Sequence, residues 1–344
     1  MSTKYKVRYN TFNMTHELTE ITDRAAWDGF VAESPFGHPL QLWGWGESKR
    51  ANSWTPYRLA LMEGESIVAG AQVLLWPIPR TKQFIAYVPR GPVADPTDKI
   101  THALLAQLAE WAKSHHALYL RIEPAWLEAK LPQGWKRAHH HLQMAETYTI
   151  DLEKSEEELQ EAMIRKHRQY IRKAEREGVV IKRVTEGNLD AMYDLYLETA
   201  ARAGFGLHSK EYYQSLFEQF GGANYLYYAE VEGKSEGFLW LAAAGKTAYE
   251  LYGGISSVGG ENKVNYLLKW HAMTELKSVG YDLYDFNGRL NEGVSQFKVG
   301  FGPDETDWIG TYDYVFNQLG YQIWERLWPV AKPVGRRIMK AIKR

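Results

Sequence analysis

A lysine directly follows a phenylalanine within a glycine-rich stretch, at Phe297 and Lys298. Alternating aromatic and acidic residues predict a strand over residues 281–286, and an Asn-Gly pair predicts a turn directly after it. A short amphipathic segment then contains Phe297 and Lys298, and a second strand is expected from Asp307 onward. This order places a cation just beyond a strand end, where it could stabilise a negative charge that forms during a reaction.

The composition limits the class of protein. The chain has 344 residues, 45% of them hydrophobic, and a net charge of −1. It can therefore form two hydrophobic cores, but it has no overall charge that would attract nucleic acid. The absence of cysteine excludes disulfides, thiolate metal ligands and a cysteine nucleophile. No run of about 18 apolar residues occurs and the N-terminal segment lacks an apolar core, so we expect a cytoplasmic protein.

The two halves of the chain repeat one order of predicted elements. In the first half, a hairpin around Gly64 and a third strand precede a helix, for which Thr97 would be the N-cap, and then a strand. The second half repeats this order, with its hairpin turn at Gly233. The two turn glycines are 169 residues apart, and Tyr119 and Leu283 on the last strands are 164 apart. We expect an α/β (α+β) protein with two tandem domains related by internal duplication.

These repeats also predict the domain boundaries. The first domain should contain residues 1–149 together with residues 311–344, and the second should contain residues 150–310. A single domain would need one sheet of ten or more strands, which is uncommon.

A charged segment links the halves. Residues 154–177 predict one long helix, acidic in its first part and basic in its second, with Gly178 as its end. Arginines in the basic part are spaced three, four and four residues apart and therefore share one helix face. They are Arg165, Arg168, Arg172 and Arg176. Such a face could bind RNA phosphates or could be an ordinary solvated surface.

The last residues, 321–344, interleave tryptophan and aliphatic residues with lysine and arginine. This pattern suits an anionic membrane surface, where each cation contributes about 1 kcal/mol. It suits equally a helix that packs on the first domain and ends in a basic tail. Pro329 and Pro333 limit the length of any helix here. Peripheral contact of residues 324–344 with the inner face of a membrane is one of the two interpretations.

Several motifs along the chain together resemble the FemXAB family, whose members are aminoacyl-tRNA-dependent aminoacyltransferases that build peptidoglycan bridges. The motifs are SPFGHPLQLWGWGESK, YVPRGPVADPTD, RKHRQYIRKAEREGV, YELYGGISS, LYDFNG, QFKVGFG and WIGTYD. They cover nearly the whole chain, and no heptad run long enough for a coiled-coil arm occurs, as in short FemX-like members. The resemblance implies the GNAT acyltransferase fold used twice, with the precursor bound by the first domain.

The activity that the resemblance implies is transfer of an amino acid from an aminoacyl-tRNA to an amine on the stem peptide of a peptidoglycan precursor. Since the ester is already activated, neither a covalent nucleophile nor a cofactor is expected. The family pattern assigns Lys298 to the oxyanion or the leaving ribose oxygen, and Phe297 to the shape of the site. The implied partners are the aminoacyl-tRNA and a precursor, lipid-linked in preference to nucleotide-linked because of the basic tail. A monomer is expected.

The resemblance also assigns cations to the diphosphate of the precursor. The lysine of the family aligns with Lys49. Its second cation, an arginine, aligns with His208, which is only partly charged near neutral pH. Phosphate binding is therefore expected to be weaker here, shifted to Lys210 or Arg202, or arranged for another head group.

Four further residues match substrate-contacting positions of the family. Tyr212 and Tyr252 match its tyrosines, although each could equally be a core residue. Tyr119 and Glu123 match a strand in which the family has tyrosine and an acid. Glu123 could bind substrate, or it could form a salt bridge with Arg121 or a neighbouring lysine.

Two other functions remain open at the level of sequence. A tandem GNAT enzyme could move an acyl group from CoA or a tRNA to a small metabolite or peptide, although the usual pyrophosphate-binding spacing is absent. A catalytically silent wall-assembly protein would only bind the precursor at the membrane surface. The histidines at 139–141 have no evident acidic partners, so no metal site is predicted.

Overall fold

The computed structural model describes residues 16–289 and 292–326. Its strands, in chain order, are β1 (Leu18–Glu20), β2 (Thr55–Glu63), β3 (Ser66–Pro77), β4 (Phe84–Arg90), β5 (Ala117–Pro124), β6 (Trp135–Arg137), β7 (Glu146–Asp151), β8 (Val180–Val184), β9 (Asn224–Val231), β10 (Lys234–Ala244), β11 (Thr247–Ile255), β12 (Leu283–Asp285), β13 (Asp304–Asp307) and β14 (Tyr312–Val315).

Most helices lie between the strands. They are α1 (Arg24–Glu33), α2 (Trp43–Lys49), α3 (Lys99–Ser114), α4 (Glu156–Ala162), α5 (Arg165–Arg176), α6 (Asp190–Ala203), α7 (Lys210–Phe220), α8 (Ser257–Glu261), α9 (Val264–Ser278), α10 (Glu292–Val299) and α11 (318–326). Single turns of 3-10 helix occupy Pro39–Gln41, Arg50–Asn52 and Gly221–Ala223.

The chain forms two compact units. The described part of the first comprises residues 16–22, 49–143 and 309–326, and that of the second comprises residues 23–48, 144–289 and 292–308. The second unit thus starts earlier than the predicted boundary at residue 150, because β7 pairs with β12 and β13. Residues 23–48 also group with it, since α1 and the turn at Pro39–Gln41 contact β10.

The first unit is built on a seven-stranded mixed sheet of order β1-β2-β3-β4-β5-β14-β6. β4 and β5 are parallel, and α3 connects them. Asp98 caps α3, because its carboxylate accepts a hydrogen bond from Ile100 N at 2.9 Å. The prediction of Thr97 as N-cap was therefore wrong: its hydroxyl instead donates to Asp95.

The second unit repeats this topology. Its sheet has the order β13-β7-β12-β11-β10-β9-β8, with one parallel pair, β11 and β12, connected through α8 and α9. In each sheet, a strand from a distant part of the chain lies antiparallel next to the second strand of the parallel pair, β14 beside β5 and β7 beside β12. The duplication that the sequence predicts is thus present in the strand order.

One strand was expected from Asp307 onward. The structure instead has two short strands, one on each side of residues 308–311, and they belong to different sheets. β13 ends at Asp307 and belongs to the second sheet, while β14 begins at Tyr312 and belongs to the first. The chain leaves one sheet for the other between them, and Gly310 has a φ of +88° there.

The prediction of one long helix over 154–177 is also wrong. The backbone of Met163 and Ile164 is extended, and it separates α4 from α5. Met163 is buried in the hydrophobic core, and Ile164 N donates to Gly300 O at 3.0 Å. A continuous helix would lose both interactions. Arg168 then caps the end of α4, because its Nη1 donates to the carbonyls of Gln160 and Glu161 at 2.9 and 3.2 Å.

No helix within the described ranges combines the length and the apolar character needed to cross a bilayer. The segment predicted to contact a membrane lies outside the described residues from position 327 onward.

Candidate active site

A cavity of about 480 Å³ opens in the second unit, and we call it the Lys298 cavity. Helix α10 contributes Phe297 and Lys298 to its wall, β11 contributes Glu250 and Tyr252, and α9 contributes Lys269. The structure therefore brings together three residues that were predicted from the sequence, Phe297, Lys298 and Tyr252, and adds a partly buried acid and a second lysine.

Lys298 is held by the turn that follows β12. Its side chain is buried, and Nζ donates to Phe286 O at 2.9 Å and to Gly288 O at 2.6 Å. The predicted Asn-Gly turn supplies this geometry, since Asn287 and Gly288 have φ angles of +54° and +112°. An ammonium has three donors, and only two of them meet acceptors among the residues that the structure describes, so the third N–H is left for an incoming oxygen. Burial lowers the pKa of Lys298, and the neighbouring Glu250 opposes part of this effect.

Glu250 and Lys269 form a partly buried ion pair at the wall of the cavity. Lys269 Nζ and the Tyr284 hydroxyl both donate to the same carboxylate oxygen, Glu250 Oε1. Sequence analysis missed both members of the pair. A signal was present, because each charge interrupts a strongly apolar segment, YELY for Glu250 and LLKW for Lys269.

Phe297 belongs to an aromatic cluster that fixes α10. Its ring packs edge-on against Tyr266 at 5.0 Å and Phe301 at 5.4 Å, and lies 5.6 Å from the ring of His167. His167 Nε2 lies 3.0 Å from Phe297 O. Burial lowers the pKa of His167, so the neutral imidazole donates to this carbonyl. This contact joins α10 to the arginine-bearing helix α5, and His167 was not predicted as a site residue.

Tyr252, Tyr212 and His208 are brought together in the second unit. A hydrogen bond joins the hydroxyls of Tyr252 and Tyr212, and burial raises the pKa of Tyr212 to about 12. The exposed ring of His208 lies against Tyr212, with 4.2 Å between centroids. Because Tyr252 also lines the Lys298 cavity, these residues form a continuous polar and aromatic path from the cavity to the surface.

Lys49 is the last residue of α2 and is only partly exposed. Burial lowers its pKa to about 7. A lysine with this pKa changes charge in the neutral range, which is unusual for this side chain. Binding of an anion would favour the protonated form and raise the pKa again.

Tyr119 lies in the interior of the first unit. It belongs to a small cluster of buried residues and packs edge-on against Tyr321 on α11, at 5.3 Å between ring centroids. Burial raises its pKa well above the ordinary value.

Glu123 is 2% exposed, and donors surround its carboxylate. They are the Tyr87 hydroxyl, Leu142 N at 2.6 Å, Gln143 N at 3.1 Å and Thr311 Oγ1 at 2.9 Å. These four hydrogen bonds match the number of acceptor positions of a carboxylate. The alternative salt bridge to Arg121 is wrong, because Arg121 binds Asp313 with Nε and Nη2, both at 2.7 Å.

The four predicted RNA-binding arginines differ in their surroundings. Arg165, Arg172 and Arg176 are exposed, whereas Arg168 is directed at backbone carbonyls at the end of α4. The exposed residues are available to an anionic partner, and Arg168 has a structural role.

No group of residues in the described part of the chain could hold a metal ion. Among the histidines at 139–141, which were expected to lack acidic partners, His140 does have one. His140 Nε2 lies 3.7 Å from Glu325 Oε2.

A sequence model of the FemAB family matches residues 22–140, 132–236 and 235–327, which is most of the chain. The chain belongs to the FemAB family. It is 24% identical over 415 aligned residues to the lipid II:glycine glycyltransferase of Staphylococcus saprophyticus, with 95% of this chain and all of the relative covered. The protein of the same name from Staphylococcus aureus strain MRSA252 is 23% identical, with 92% and 97% covered.

The fold of this FemAB family member is also similar to solved structures. The crystal structure of FemX has a TM-score of 0.81 at 22% identity and covers 89% of this chain and 99% of its own. A tandem GNAT protein from the clavulanic acid biosynthesis pathway has a TM-score of 0.51 at 14% identity, with 87% and 98% covered. The predictions of the family and of two tandem GNAT-like domains are confirmed.

Proposed function

We propose that this protein is an aminoacyltransferase that moves an amino acid from an aminoacyl-tRNA to an amine on the stem peptide of a peptidoglycan precursor. The observation that supports this best is a buried lysine at the wall of a cavity in a FemAB family member, with one N–H that meets no acceptor among the described residues. Two relatives of the chain are lipid II:glycine glycyltransferases. A lipid-linked precursor is therefore the preferred acceptor.

The reaction follows from the geometry of Lys298. The neutral amine of the acceptor attacks the carbonyl carbon of the ester, a C–N bond forms, and the carbonyl oxygen becomes an oxyanion. Lys298 Nζ donates its remaining N–H to this oxygen, a contact that strengthens as negative charge develops. The C–O bond to the ribose then breaks, and the proton lost by the amine nitrogen is taken up at the ribose oxygen. Placement of two large substrates supplies the remaining rate enhancement.

A mixture of the protein, charged tRNA and either lipid II or the nucleotide-linked precursor tests this proposal. We expect the acceptor mass to increase by one or more amino-acid residues, and only with charged tRNA. Transfer from acetyl-CoA without tRNA would support the alternative tandem GNAT activity. Precursor binding without any change in mass would contradict both enzymatic functions.

Lys49 gives a pH-dependent prediction for precursor binding. Its ammonium is protonated below about pH 7 and loses its proton above it, whereas a diphosphate diester keeps its charge. If Lys49 binds this group, affinity should fall about tenfold between pH 7 and about pH 8.5. Isothermal titration calorimetry measures this fall. Lys49→Arg, whose guanidinium stays protonated, should abolish it, and the same pH dependence in both proteins would contradict the role.

The exposed arginines of α5 give a prediction for the tRNA. Replacing Arg165, Arg172 and Arg176 by alanine should weaken tRNA binding and reduce the slope of log affinity against log salt by about two to three. Filter binding at several salt concentrations measures both effects. A matched triple variant with the same change of charge replaces exposed lysines of β8, β10 and the turn after it. These are Lys182, Lys234 and Lys246. Equal losses in both variants would contradict a specific role for α5.

A further inference from the structure

We propose that Glu250 binds the α-ammonium group of the amino acid that is being transferred. This inference rests on the proposed function and identifies a donor subsite within the Lys298 cavity. The ligand class is a primary ammonium on the carbon next to an ester carbonyl.

The two oxygens of the Glu250 carboxylate have different surroundings. Oε1 accepts hydrogen bonds from both Lys269 and Tyr284, while Oε2 receives none from the residues that the structure describes. Glu250 lines the cavity, with 12% of its side chain exposed. One oxygen is thus held in place, and the other is available to a ligand.

The contrast with Glu123 supports this interpretation. Glu123 is buried, and four protein donors share its two oxygens. Buried carboxylates with a purely structural role are expected to be satisfied in this way, because an unmet acceptor in the interior costs about 1–3 kcal/mol. Glu250 instead is only partly buried, lines the cavity, and accepts hydrogen bonds from described residues on Oε1 alone.

The distribution of charge in the cavity also supports a subsite at Glu250. Glu250 is the only acidic side chain among the described lining residues, and it lies beside two buried lysines, Lys269 and Lys298. A carboxylate forms charge-assisted hydrogen bonds with a protonated amine. A cavity with lysines alone would repel the ammonium of an aminoacyl ester.

The chemistry of the donor fits the positions of Glu250 and Lys298. In an aminoacyl ester, the ammonium and the carbonyl oxygen are on adjacent carbons, so the groups that bind them must be near neighbours. Glu250 and Lys298 line the same cavity, and Glu250 is close enough to affect the pKa of Lys298. Glu250 would orient the ester so that its carbonyl oxygen meets the Lys298 ammonium, and it would exchange no proton with the reacting atoms.

The test compares donors that differ only in this ammonium. Alanyl-tRNA and glycyl-tRNA are paired with lactyl-tRNA and glycolyl-tRNA, in which a hydroxyl replaces the amine, at about pH 6.5 so that the amine is protonated. We expect the wild-type protein to prefer the aminoacyl donor in kcat/KM by roughly 10- to 100-fold. In Glu250→Gln this preference should fall to within a few-fold of unity.

Measuring the ratio within one protein preparation removes the effect of a partly unfolded variant. Equal losses with both donors in Glu250→Gln, or an unchanged ratio, would overturn the inference. If Glu250→Gln does not fold, Glu250→Asp retains the charge but withdraws it by one methylene, and it should lower the ratio by a smaller factor. An unchanged ratio there would contradict the inference as well. Wild-type protein that transfers from no charged tRNA would contradict the proposed function itself.

Discussion

Replacing Lys298 by methionine is expected to lower kcat for aminoacyl transfer by about 10²- to 10³-fold, which is the usual loss when one donor to an oxyanion is removed. Methionine is unbranched and close in length to lysine, so it fills the space of the aliphatic part of the lysine side chain without the charge. The loss should appear in kcat, because the oxyanion exists only beyond the ground state. Product formation measured by mass spectrometry at saturating substrate gives the rate.

Lys298 also holds two backbone carbonyls, so a structural effect must be separated from a catalytic one. The chain offers a matched control in Lys277, whose Nζ donates to Leu152 O at 2.7 Å and to Glu153 O at 3.4 Å. Lys277 lies in the same unit but does not line the Lys298 cavity. Lys277→Met should leave kcat nearly unchanged. Similar losses of kcat in both variants, together with similar losses of thermal stability, would contradict a catalytic role for Lys298.

The lowered pKa of Lys298 also predicts how the transfer rate depends on pH. Burial disfavours its charged form, so the ammonium is present below the lowered pKa and is lost at a lower pH than in an ordinary lysine. The rate of transfer should therefore decline on the alkaline side below pH 10.5, which is the ordinary pKa of a lysine. A rate that continues to rise up to this pH would contradict a role for the Lys298 ammonium.

Local sequence pattern predicted much of the fold and part of the site. The hairpins around Gly64 and Gly233 and the helix α9 follow from alternation, turn chemistry and helical spacing, which are local properties. The Asn-Gly turn and the position of Lys298 after β12 were predictable for the same reason. Family motifs then indicated what a lysine at this place could do.

The features that sequence analysis missed depend on contacts between distant residues. Helical spacing continues through Met163, yet the helix breaks there because burial of this side chain and a hydrogen bond from Ile164 to Gly300 stabilise an extended backbone. Glu250 and Lys269 are 19 residues apart, and nothing in either segment shows that the other pairs with it. Arg168 fits an exposed basic stripe by spacing, but the end of α4 supplies carbonyls that only the fold brings within its reach.

Replacing Asp313 by asparagine is expected to lower the free energy of unfolding of the first unit by about 3–5 kcal/mol, the usual cost of removing one partner of a buried ion pair. Asp313 on β14 lies directly opposite Arg121 on β5. Their side chains are 1% and 4% exposed. The substitution leaves the guanidinium buried, with Glu325 at 3.2 Å as its remaining partner. The loss should therefore lie toward the lower end of this range.

Denaturant titration measures this loss of stability. The control is a more exposed ion pair between neighbouring strands. Lys182 Nζ on β8 and Glu230 Oε2 on β9 are 2.6 Å apart, and 57% of the Lys182 side chain is exposed. Glu230→Gln should lower the free energy of unfolding by less than about 1 kcal/mol. Because Asp313 joins β14 to β5, its loss should also release β14, which faster amide hydrogen exchange at Tyr314 would detect. Equal effects of the two substitutions, or unchanged exchange, would show that the ion pair does not anchor β14 to the first sheet.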